Sequence, residues 1–193
     1  IDHHITEPSL PDAFSIVNPN RFDQKEGLGY LAAAGVCFLT LVALDRALRK
    51  NSYETNIDLR NYLDLVALAT ICDVVPLKFL NRAFVSTGLK VMGLRQNLGL
   101  KALFDMSNIR ETPNEQNLGY IVGPRINAAG RLGNSNLGVE LLCANDDVNA
   151  NLLAEKLNRL NDERKDIQNK VLESAIDKIN KIDISSKNVI VLA

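Results

Sequence analysis

Asp2, His3 and His4 place a carboxylate beside two imidazoles at the start of the chain, and no other histidine follows. Imidazole chemistry is therefore confined to this triplet. A carboxylate with two imidazoles is a mixed hard and borderline donor set, suited to Mn²⁺ and able to accept Mg²⁺ or Zn²⁺. Read alone, an ordinary polar turn is the commoner explanation of such a triplet.

Two later segments carry chemistry of their own. In Ala69-Thr70-Ile71-Cys72-Asp73-Val74-Val75-Pro76-Leu77 the acid Asp73 leaves an otherwise apolar run. A buried carboxylate without a partner is costly, so Asp73 needs an arginine, a helix-end donor or a cation. In Gly123-Pro124-Arg125-Ile126-Asn127-Ala128-Ala129-Gly130-Arg131-Leu132 two guanidinium groups and an amide surround small residues. Arginine offers a planar fork of donors to phosphate oxygens, and small residues let a nucleic-acid backbone approach. The same residues also suit a loop whose arginines pair with surface acids.

Taken with Asn18-Pro19-Asn20-Arg21, Ala34-Gly35-Val36, Asn81-Arg82 and Leu160-Asn161-Asp162-Glu163-Arg164-Lys165 at their spacings, the chain resembles the DHH phosphoesterase superfamily. Within it, the resemblance is to the RecJ-like single-strand-specific exonucleases and runs through nearly the whole chain. It implies that His3 is a metal ligand, that His4 lies nearer the substrate phosphate, and that Asp2 accepts a hydrogen bond and orients an imidazole. It puts Asp73 on the same metal as His3, with a second ion sharing a bridging carboxylate. Arg125, Asn127 and Arg131, with His4, would bind the scissile or neighbouring phosphates. The implied activity is Mn²⁺- or Mg²⁺-dependent hydrolysis of single-stranded DNA from its 5′ end, releasing mononucleotides in repair and recombination. A single-strand-binding protein and a helicase are the protein partners it suggests. Rival readings are a DHH phosphodiesterase for short RNA or cyclic dinucleotides, and a non-catalytic single-strand-binding relative; retention of His3, His4 and Asp73 speaks against the second.

Other polar residues have plainer readings. Asn18 and Asn20 flank Pro19 as Asx-Pro turns do, Arg82 reads as an internal ion-pair partner, and Glu163, Arg164 and Lys165 as the solvated face of a helix whose basic residues could line a groove between domains.

These side chains must be positioned by a helix-rich α/β framework. The resemblance divides it into the C-terminal part of a DHH catalytic domain (1–145), a long interdomain helix (146–181), and the linker and first strand of a DHHA1 domain (182–193). Residues 7–12 read as a loop and Phe14 to Val17 as a short strand before Asn18-Pro19. Helices are expected over 31–48, 59–71, 81–92 and 100–106, the second stopped by Pro76. From 146 to 181, Leu153, Leu157, Leu160, Ile167, Val171, Ala175 and Ile179 recur at three- and four-residue steps, the pattern of one amphipathic helix. The triplet at the first residues and the apolar run from Asn188 to Ala193 read as strands cut at both ends. The chain is therefore expected to be an internal fragment, inactive by itself because the family's upstream Asp motifs lie outside it.

The 193 residues are 46% hydrophobic and 23% charged, enough to bury a core, and the net charge is −1. A polyanionic partner would thus need a local basic groove rather than an overall attraction. At 5% aromatic, the segment offers little base stacking. Cys37, Cys72 and Cys143 are odd in number and sit in apolar runs, so they are expected to be buried free thiols of a reducing compartment. No apolar run reaches the about 20 residues that cross a bilayer and no signal peptide is seen, so a cytoplasmic protein is expected.

Overall fold

The computed structural model describes residues 1–25, 27–131, 133–181 and 189–191. Among these, the regular structure is helical: α1 (Ala33–Lys50), α2 (Leu63–Cys72), α3 (Phe79–Gly93), α4 (Leu98–Met106), α5 (Gly123–Arg131), α6 (Asn136–Leu142) and α7 (Asp147–Ile179). A 3₁₀ turn, Leu59–Tyr62, leads into α2, and a π-helical turn, Asn117–Val122, runs directly into α5.

The main core lies between α2, α4, the π turn, α6 and the first half of α7, with Leu103, Phe104, Leu118, Val122, Leu141 and Leu157 fully enclosed. A smaller cluster of Leu31, Val36, Leu63, Val66 and Phe84 joins α1, α2 and α3. Helix α2 serves both clusters and is apolar on nearly every side, as a helix surrounded by others must be. It ends where Asp73 N–H bonds Ala69 O at 2.9 Å and Val74 N–H bonds Ile71 O at 3.2 Å.

Helix α7 starts on Asp146, whose side chain accepts the Asn149 N–H, an N-cap that satisfies one of the otherwise free first-turn donors. Its 33 residues span about 50 Å at 1.5 Å per residue. Ala150, Ala154, Leu157 and Asn161 are buried against the helices beneath, whereas Ile167, Val171, Leu172 and Ile176 further along are exposed. The first half of the helix is thus part of the core.

Three expectations change. No strand forms among the described residues: Phe14 lies in a bend and Ser15 to Val17 belong to no regular element. Alternating side chains favour extended backbone, but a strand also needs a neighbour for its polar groups. Here Asp2 N–H bonds Val17 O and the Arg21 side chain bonds Ile16 O, which is no ladder. The expected first strand of a second domain falls on 182–193: Val189, Ile190 and Val191 are described and form none, and the remainder lies outside the described residues. The three thiols are free, but Cys37 and Cys72 are half-buried and Cys143 is exposed, because Cys143 ends the short helix α6.

Two elements escaped the reading from sequence. Segment 123–131 is a helix rather than a loop, and α6 had no counterpart. Pro124 lacks an N–H, and the widened turn before it takes up the missing helical bond. No helix among the described residues is long and apolar enough to cross a membrane.

Candidate metal and phosphate site

Folding brings His3 to Asp73. The His3 Nε2 lies 3.3 Å from Asp73 Oδ2, with the imidazole mostly buried and the carboxylate open to solvent. Asp73 sits just past the end of α2, where the chain turns away through Val74 at φ +56°. That region is strained for a β-branched residue, at about 1–3 kcal/mol, and the following turn fixes it. Asn81, wholly buried, donates through Nδ2 to Tyr30 O at 2.7 Å and Pro76 O at 3.0 Å.

The triplet's backbone is held by the asparagines around Pro19. Asn18 Nδ2 donates to His4 O at 2.9 Å, and Asn20 Nδ2 to His3 O at 2.6 Å and Gly29 O at 3.0 Å. Gly29 is required for this packing, since a Cβ there would lie 2.1 Å from Asn20 Oδ1. Both asparagines therefore position the triplet.

Asp2 turns to His4. Its Oδ1 accepts from His4 Nδ1 at 2.7 Å and from the His3 N–H at 2.7 Å. The bond from the His4 side chain, then that from the His3 backbone, holds the Asp2 carboxyl down at about 2. Conversely, the Asp2 hydrogen bond and charge raise the His4 imidazole above its ordinary value. The rings of His3 and His4 stand 4.5 Å apart, tilted by 53°. One imidazole thus faces the Asp73 carboxylate while its neighbour is biased toward a cation.

A second set of groups gathers around Cys72, the residue before Asp73. Cys72 forms part of the wall of a cavity of about 230 Å³ that is also lined by Asn127, Arg131 and Arg164. Burial, then the Asp73 charge, pushes the Cys72 thiol up to about 11, so it is a neutral wall rather than a nucleophile. Gly123 lets α5 approach, since a Cβ would lie 2.4 Å from Cys72 Sγ. Arg125 points elsewhere: its Nε donates to Asn158 of α7 at 2.9 Å and its Nη1 to Ile121 O at 2.8 Å. Ala128 and Ala129 are buried and serve packing rather than the approach of a ligand; Leu132 lies outside the described residues.

Arg82 is exposed, not an internal ion-pair partner; it pairs with no acid among the described residues and lines a separate cavity that includes Glu115. Arg164, expected on the solvated face of its helix with a groove as the alternative, lines the same cavity as Arg131. The signal was present, because 150, 154, 157, 161 and 164 continue one stripe at three- and four-residue steps.

The donors of His3 and Asp73 are spaced as neighbouring corners of a coordination sphere whose metal–ligand distances are about 2.0–2.2 Å. The pair thus fits one divalent cation. Among the described residues no third His, Cys, Asp or Glu converges with them, so they supply part of a sphere.

No protein-family model matches the chain. It is 39% identical over 195 residues to the single-stranded-DNA-specific exonuclease RecJ of Salmonella typhimurium, covering 96% of this chain and 33% of that protein. It is 33% identical over 192 residues to the protein of the same name from Bacillus subtilis, covering 98% of this chain and 23% of the relative. Among solved structures, exonuclease RecJ bound to manganese superposes with a TM-score of 0.75 at 32% identity, covering 90% of this chain and 42% of the other. RecJ from Thermus thermophilus in complex with Mg²⁺ matches with a TM-score of 0.66 at 32% identity, covering 81% and 23%. The chain spans about a third or less of the length of these curated relatives.

Proposed function

From a chain homologous along nearly its whole length to a segment of the RecJ single-stranded-DNA-specific exonucleases, we propose that it forms the helical part of an α/β DHH domain. We propose further that this domain hydrolyses single-stranded DNA from the 5′ end to mononucleotides, in repair and recombination. The observation that carries the reading is the approach of His3 Nε2 to Asp73 Oδ2 at 3.3 Å across seventy residues of sequence; the residue before Asp73, Cys72, lines a cavity with two arginines.

His3 and Asp73 would hold Mn²⁺ or Mg²⁺ as one site of a two-metal centre, the remaining ligands coming from elsewhere in the protein. Such an ion lowers the pKa of water and neutralises charge on the phosphate. His4, biased toward its cationic form by Asp2, presents its Nε2–H to a phosphate oxygen. Arg131 and Asn127, on the exposed face of α5, take the neighbouring phosphate oxygens with charge-assisted bonds. Arg125, which ties α5 to α7 through Nε and to the π turn through Nη1, would steady the helix that bears Arg131 and Asn127. On this reading the protein works in the cytoplasm, with a single-strand-binding protein and a helicase as partners, and α7 leads toward a DHHA1 domain.

The test is Asp73→Asn in the full-length protein carrying this chain. It should abolish Mn²⁺-dependent release of mononucleotides from a labelled single strand, with melting little changed because the side chain is 40% exposed. Cleavage at the wild-type rate would reject the role of Asp73. Preference for a dinucleotide or a cyclic dinucleotide over a long single strand would move the substrate to the rival class.

A further inference from the structure

Arg164 lines the Cys72 cavity from a different helix than the one that bears Arg131 and Asn127. It has no acidic partner among the described residues. Its Nε and Nη2 approach the Asn161 side-chain oxygen at 3.3 and 3.2 Å, and its Nη1 the Gln168 side-chain oxygen at 3.1 Å, all neutral acceptors. Asn161 is itself buried, so it fixes the direction of the guanidinium without cancelling its charge. Arg131 likewise pairs with no acid among the described residues. By contrast, Arg21, Arg49, Arg60 and Arg95 each lie on an aspartate. Two guanidinium groups without acid partners, lining one cavity together with the Asn127 amide, favour an anion there. The cavity, about 230 Å³, has room for a phosphate group, and its guanidinium and amide lining suits an oxyanion.

We propose that Arg164 of α7 binds an internucleotide phosphate of the single strand together with Arg131 and Asn127, at a subsite next to, and separate from, the phosphate held at His3, His4 and Asp73. The proposal rests on the single-strand reading above and adds a residue of the long helix to the substrate contacts. Helix α7 then has two roles, closing the core through Leu157 and gripping the strand about two turns later through Arg164.

Single methylphosphonate linkages, each neutralising one phosphate, are scanned along a short single-stranded oligonucleotide, and binding to the full-length protein is measured without divalent metal. The wild type should lose about tenfold in affinity at the subsite linkage, the loss expected of a charge-assisted contact. Arg164→Gln should weaken binding to the unmodified strand and become insensitive to the methylphosphonate at that linkage alone. It should also flatten the salt dependence by about 0.7 in log–log slope, one single-strand phosphate. An Arg164→Gln profile matching the wild type at every linkage would overturn the assignment. If that variant fails to fold, Gln168→Glu decides: an acid beside Nη1 should blunt the same linkage, and an unaltered profile would overturn it. Loss of 5′-mononucleotide or inorganic phosphate binding with an intact linkage profile would assign the cavity to free product, against the proposal. A wild type with no affinity for single strands would fail the functional reading itself.

Discussion

The His3 and His4 carbonyls are gripped by amides seventeen and fourteen residues away in sequence, so the aim of the imidazoles depends on Asn20 and Asn18 as much as on the triplet. Asn20→Ala frees the His3 carbonyl without touching a metal donor. By the usual cost of loosening a ligand's support, it should lower Mn²⁺ affinity about 10–100-fold, measurable by titration calorimetry; an affinity equal to wild type would show that His3 is held by other means. Gly29→Ala should act in the same direction by displacing Asn20. The donor types in the triplet, Asp73 and Arg131 were legible from sequence only when the three segments were taken together, since each alone also suits a turn or a surface pair. The asparagines were not. An Asx-Pro turn and a backbone clamp use the same residues, and only the fold shows which carbonyls lie in reach.

At the scale of elements, α2 carries the site and also a buried cost. Asp64, in its first turn and 5% exposed, accepts one backbone N–H, from Leu65, and burial raises its pKa. A raised carboxyl binds more protons in the folded state. Its stabilising contribution is therefore complete below the ordinary value of 3.8 and is lost as pH rises through the folded value. Asp64→Asn should accordingly raise the melting temperature at pH 7 and leave it unchanged near pH 3; a fall at neutral pH would mean that the charged form is the stabilised one. Helix α7 offers a different test. Leu157→Ala should cost about 2–5 kcal/mol in urea unfolding, whereas Val171→Ala, on the exposed half, should stay within about 0.5 kcal/mol. Equal effects would show that the helix does not divide at Asn161. Helix α7 was readable because its apolar spacing is long and regular, and α1 to α4 because each is an apolar-rich run bounded by polar or turn residues. Segment 123–131 was not, since Gly123, Pro124 and Gly130 resemble a loop until a π turn absorbs the proline; the expected strand failed because a sheet is set by neighbours, not by one run.

Across the whole molecule, a net charge of −1 gives no general attraction to a polyanion, so the proposed binding of a single strand would rest on local cations such as Arg131 and Arg164, which line one cavity. The sequence showed that such a groove was needed and offered the basic residues of the long helix for one, but not that Arg164 and Arg131 would line the same cavity. The account depends throughout on His3 and Asp73 sharing one cation. Pulsed electron paramagnetic resonance of Mn²⁺ bound to the full-length protein tests this directly, through the coupling of the metal to an imidazole nitrogen. That coupling should be present in the wild type, vanish in His3→Ala, and disappear with the bound signal in Asp73→Ala. A nitrogen coupling that survives His3→Ala, or Mn²⁺ held as tightly after Asp73→Ala, would contradict it.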